Sequence, residues 1–172
     1  MAHEDEKRKE ESYVFKELIN ALGLEIKNDI HGDAPDFQFE TNGKRVAMDV
    51  QDVMVSQEDQ DEWVNLKDEG TSDGRSFNKE TLKERLEKSL EKKMNKDYKA
   101  HGINQVWLGN YFLKISFGKL WSVFFTETEL IEIVKSKMRN AKGPFDRVIF
   151  FDVPSKAIIV DAILDNHSLL KF

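Results

Sequence analysis

Along the N-terminal segment the apolar positions recur at helical spacing. Phe15, Leu18 and Leu22 share one stripe, Val14 and Ile19 flank it, and Gly23 stands where a left-handed residue would end the run. The spacing predicts a helix over residues 4–22. One turn back, the same stripe reaches Glu11, four residues before Phe15 and seven before Leu18. A carboxylate therefore lies on the buried side, either facing water beyond the packed turns or pointing toward groups on the next elements. Glu10 and Glu17 sit nearer the edge of the stripe and read as solvated.

The period then shortens to two, that of a strand. Phe37 to Glu40 is a short run with two aromatics, and Arg45 to Val53 alternates cleanly. Between them Asn42-Gly43 is a strong hairpin signal, because a tight turn there needs φ > 0 at both central residues. On the second strand Val46, Met48 and Val50 share one face, and Ala47, Asp49, Gln51 and Val53 share the other. Asp36 opens the first strand opposite the end of the second, which can bring its carboxylate near Asp49. Two carboxylates so placed can hold a divalent cation through oxygen ligands.

A second amphipathic helix is expected from about Asn78 to Tyr98, with Leu82, Leu86, Leu90 and Met94 inward, Ser76 or Asn78 as N-cap and Gly102 beyond its end. Eight basic residues against five acids between Lys79 and Lys99 make this segment net positive. Lys93 falls on its apolar stripe, so it either snorkels or meets an acid. Two strand-like segments follow, Gln105 to Phe117 and Leu120 to Phe125. Thr126 and Glu129 form a capping box for a helix carrying Leu130, Ile131, Val134 and Met138 to about Asn140. Gly143-Pro144 marks a turn, Asp146 to Asp152 a central strand, and Ala157 to Val160 another. Asp152 and Asp161 read as turn residues, and Trp107 and Trp121 as core. This order predicts an α/β fold, a mixed central β-sheet flanked by helices, in one domain spanning 1–172.

Pro35-Asp36, followed after twelve residues by Asp49-Val50-Gln51, resembles the signature of the PD-(D/E)XK superfamily of restriction-endonuclease-like nucleases, with Gln51 in the usual lysine slot. The resemblance implies metal-dependent phosphodiester hydrolysis of nucleic acid, DNA in preference to RNA. It further implies Mg²⁺ or Mn²⁺ held by Asp36, Asp49 and the Val50 carbonyl, with Glu11 as the helix acid and Glu10 as the alternative. The run Leu90-x-x-Lys93-x-x-Lys96-x-Tyr98 resembles the core helix from which some branches supply a lysine, a placement that would compensate for Gln51. Asp at position 49, where Glu is more frequent, and Gln51 itself depart from the pattern. The alternative is a catalytically inactive protein of the same fold that binds nucleic acid or protein.

Composition narrows the choice little. The chain has 172 residues, 40% hydrophobic and 34% charged, as soluble domains do. It has no cysteine, so disulfides, thiolate metal sites and Cys nucleophiles are excluded, and a reducing cytoplasmic setting is expected. The four histidines are scattered. No apolar run approaches a membrane span, so no membrane association is expected. The net charge of −6 equals that of Gln57 to Asp73 alone, seven acids against Lys67. The surrounding stretch, 57–75, reads as a mobile acidic loop, solvated or serving as a docking patch for a protein partner.

Overall fold

The computed structural model describes residues 2–32, 35–53, 78–96, 98, 102–114, 116–118, 120–141 and 144–164. The acidic segment expected at 57–75 lies outside the described residues, as does Gly143 of the expected turn. In chain order the elements are α1 (Ala2–Leu22), β1 (Lys27–His31), β2 (Phe37–Thr41), β3 (Lys44–Asp52), α2 (Lys79–Met94), β4 (Gln105–Phe112), α3 (Trp121–Phe124), α4 (Glu127–Ala141), β5 (Arg147–Asp152) and β6 (Ala157–Ile163). The strands form one six-stranded mixed sheet in the order β1-β2-β3-β4-β5-β6. The first three strands are antiparallel, β3 to β5 run parallel, and β6 returns antiparallel.

The alternation along the strands sorts two apolar layers. Val46, Met48 and Val50 with Trp107, Tyr111, Ile149 and Phe151 pack beneath Val14, Phe15, Leu18 and Ile19 of α1. At roughly 2 kcal/mol for each large apolar side chain removed from water, that stripe alone holds α1 on the sheet. On the other face Ala47, Leu108, Phe112, Val148 and Phe150 meet Leu82, Leu86 and Leu90 of α2 and Leu130, Val134 and Met138 of α4. Gly109 lies at the centre of the α1 face. A Cβ there would lie 2.9 Å from Met48 Cε and 3.2 Å from Leu18 Cδ2, so the missing side chain is what lets α1 approach. Asn42 (φ 50°) and Gly43 (φ 75°) close the hairpin with the two left-handed residues that its turn requires.

Several boundaries differ from expectation. Strand β4 stops at Phe112, because the chain folds back so that Phe117 N–H donates to Asp152 Oδ1 at 2.9 Å. The stretch from Leu120 to Phe125 contains a short helix where a strand was expected, with Trp121 and Phe125 inward and Val123 in solvent. A contiguous apolar run carries no period that separates these two outcomes. The exposed, largely polar strand β1 (KNDIH) was not foreseen at all. Helix α2 ends at Met94, with Asn95 as its cap, not at Tyr98. Asp152 does organise a turn, accepting from Ser155 N, but Asp161 lies within β6 and holds Arg147 through two hydrogen bonds of 2.6 and 2.7 Å. The capping box forms as expected: Glu129 N donates to Thr126 Oγ1 at 3.1 Å and Thr126 N to Glu129 Oε1 at 3.3 Å.

Candidate active site at a fork in the sheet

The β2–β3 ladder ends at the pair Phe37 and Met48, whereas β3 stays paired with β4 as far as Asp52. Beyond Met48 the outer edge of β3 is therefore open, and its backbone groups need partners from elsewhere. Asp36 supplies one. Its Oδ2 accepts from Val50 N–H at 2.9 Å, and its own N–H donates to Asp49 Oδ1 at 3.3 Å. The two carboxyl groups thus clasp each other's strands across the fork. Because the N–H and C=O of one strand residue point to the same side, the Val50 carbonyl also faces this opening.

From the α2 side, Lys93 Nζ and Tyr98 Oη both donate to Asp49 Oδ2, each at 2.7 Å. Asp49 is 2% exposed. Lys93 thus meets an acid, one of the two outcomes its place on the apolar stripe allowed. Lys96 stands close enough to feel Lys93, Asp49 and Asp36; partial burial and the Lys93 charge hold its ammonium below the usual lysine range.

Burial, the hydrogen bond to Asp49 and the Asp49 charge push Asp36 up to about 8. For Asp49, burial acts upward too, but hydrogen bonds from Asp36 and Lys93, the Lys93 charge and the Tyr98 hydroxyl outweigh it and hold the group below the usual carboxylate range. Burial and the neighbouring Asp49 charge make the Asp36 carboxyl the costlier of the two to ionise, even with Lys93 on Asp49. At neutral pH the pair therefore holds one proton, which resides on Asp36.

Gln51 lies on the same face of β3 as Asp49, in register with Asn110 of β4. Its Nε2 donates to Asn110 Oδ1 at 2.6 Å, and Asn110 Nδ2 donates to the Ile149 carbonyl at 3.4 Å. Asn110 is fully buried, and its contribution was not visible in the sequence; Tyr98 stood in the Leu90 to Tyr98 run, but its bond to Asp49 was not visible there. A polar residue inside the apolar run VWLGNYF was the available signal for the first.

Glu11 is buried at 6% exposure, which rules out the water-facing alternative, but it does not bond to the pair directly. His31 Nε2 donates to its Oε2 at 3.1 Å, with the Ser12 hydroxyl 3.1 Å from His31 Nδ1 and Lys7 3.7 Å from the other carboxylate oxygen. Its charge still reaches Asp36, as the weakest of the influences on that group. Glu10 and Glu17, expected in solvent, are half-buried: Glu10 accepts from Tyr111 Oη at 2.9 Å, and Glu17 pairs with Lys156 at 3.5 Å. Among the described residues no three His, Cys, Asp or Glu side chains converge at metal-ligand spacing. The structure brings together Asp36, Asp49 and Lys93, with Val50 and Gln51 alongside, and leaves Glu11 bonded to His31.

Searches against protein-family models and curated proteins give no match. Among solved structures, the chain is similar to the crystal structure of an XisH family protein from Nostoc punctiforme, with 11% identity over 83% of this chain and 91% of the other and a TM-score of 0.31. A likeness of that degree assigns neither family nor activity. Among the described residues no helix is long and apolar enough to cross a membrane.

Proposed function

We propose that this protein is a metal-dependent nuclease of the PD-(D/E)XK type, hydrolysing phosphodiester bonds in nucleic acid, DNA in preference to RNA. The observation that carries this reading is the meeting of Asp36, Asp49 and Lys93 at the fork between β2 and β3. The donor chemistry fits a divalent cation, because the pair keeps a proton at neutral pH that a doubly charged ion would displace. Asp36, Asp49 and the Val50 carbonyl would hold Mg²⁺ or Mn²⁺, with Glu11 as a further ligand if released from His31. When bound, such an ion supplies an acidified water and neutralises charge on the phosphate under attack.

The chain's own groups divide the remaining work. Lys93 carries its ammonium on a flexible stem and would transfer it from Asp49 to a phosphate oxygen. Gln51, with an amide N–H committed to Asn110, serves as a hydrogen-bonding group and cannot take up a proton usefully. The exposed lysines of α2, among them Lys83, Lys88 and Lys92, lie on the same side of the sheet as Lys93 and would follow a phosphate backbone. This reading sets the reaction in the cytoplasm, and the cysteine-free composition suits a reducing compartment.

Titration calorimetry with Mn²⁺ on the native chain and on Asp49→Asn, with plasmid and single-strand cleavage assays on the same samples, tests the proposal. Binding and cleavage that both vanish in the variant are expected. Native protein that neither binds nor cleaves refutes it and favours the second reading, a nuclease-like fold that binds without catalysis. The engagement of Asp49 by Lys93 and Tyr98, and of Glu11 by His31, is the observation on that side.

A further inference from the structure

We propose that Tyr98 is a positioning residue for the cation site, fixing the Asp49 carboxylate so that Oδ1 faces the fork whether or not Lys93 is in place. The inference rests on the cation-site reading above. A terminal carboxylate torsion is broad and turns easily unless several donors hold it. Here Oδ2 takes two donors from the α2 side, Lys93 Nζ and Tyr98 Oη, while Oδ1 takes the backbone N–H of Asp36.

The two donors on Oδ2 differ in kind. Lys93 swings on four side-chain torsions, and its side chain keeps 13% of its surface exposed. Tyr98 is 2% exposed, past the end of α2, with its ring packed 5.3 Å from that of Phe145. Two torsions and a buried ring aim its hydroxyl. A phenol keeps its proton near neutral pH, so it remains a donor to Oδ2. A lysine that leaves to meet a phosphate would free the carboxylate to rotate. A tyrosine that cannot leave prevents this.

The test uses Mn²⁺ alone, followed by calorimetry and by loss of the free-ion electron paramagnetic resonance signal. Tyr98→Phe keeps the ring and removes only the hydroxyl; about tenfold weaker Mn²⁺ binding is expected, the usual effect of losing a group that orients a metal ligand. Val134→Ala loosens the core under α4 and leaves Tyr98, Phe145 and Asp49 as they are; it is expected to lower the melting temperature while leaving Mn²⁺ affinity within about twofold of native. Native-like affinity in Tyr98→Phe overturns the inference and leaves the cation site standing. Equal weakening in both variants also overturns it, because packing would then be the cause. No binding by the native chain overturns the site and the inference together.

Discussion

Replacing Asp36 by asparagine should flatten the pH dependence of folding stability, and the structure fixes both the sign and the window. Asp36 titrates near 3.8 in the unfolded chain and near 8 in the folded one. Between those values the native state holds a proton that the unfolded state has released, so native stability falls as pH rises. The contribution is fully present below the unfolded value and is lost as pH passes through the folded one. Asp49 shifts the opposite way, so its contribution is lost only in acid and stays constant across this window. One whole proton is worth about 1.4 kcal/mol per pH unit. Asp36 is only half-buried, and solvent screening reduces this to about half, or roughly 2 kcal/mol between pH 5 and 8. The asparagine side chain can still accept from Val50 N–H and donate to Asp49, so the fold should persist. Urea denaturation at four pH values on both proteins measures the difference. The native chain should lose stability toward pH 8 and Asp36→Asn should lose about 2 kcal/mol less. Parallel curves would refute the shared proton, and with it the electrostatic case for a cation.

Two further substitutions probe the surroundings. Lys93→Met leaves Asp49 buried without its cation and should cost about 3 kcal/mol in urea denaturation, partly recovered by adding Asp49→Asn; an unchanged midpoint for the single variant would show that Tyr98 suffices. Gly109→Val should cost roughly 2–3 kcal/mol and Gly109→Ala less, because the Cβ of either meets Met48, Leu18 and Val50 but the two valine methyls must also fit in the same crowded space; comparable midpoints for the two variants would count against close packing of α1 there.

The parts of the fold legible in the sequence are those in which one physical signal had no rival. Asn42-Gly43 names its turn because few other pairs tolerate two left-handed residues. The stripe of α1 names its buried face, on which Glu11 could still have faced water; the structure buries it. Lys93 on an apolar stripe must snorkel or meet an acid, and the structure shows the second, with Asp49 as the acid. Strand β1 was hidden because an exposed edge strand has no buried face to pattern. The segment around Trp121 misled because its apolar residues are adjacent, and only tertiary contacts decide between strand and helix. Asn110 escaped notice, and Tyr98 stood in its run without a role, because their partners lie 59 and 49 residues away, beyond any local pattern. The destination of Glu11 depended on His31, itself on the strand that was missed.

The separations along the chain also prescribe an order of assembly. Asp36 and Asp49 are 13 residues apart and meet as soon as the hairpin closes, whereas Lys93 and Tyr98 lie 44 and 49 residues from Asp49 and arrive only when α2 docks. A closed hairpin would thus bring the two acids together without either donor from the α2 side. Until α2 docks, Asp49 lacks the ammonium and the hydroxyl that hold it charged beside Asp36 in the finished domain. Docking of α2, a step usually credited to leucines alone, therefore also supplies the two donors that Asp49 needs, so the arrangement that equips the fork for chemistry also rewards the chain for completing its fold.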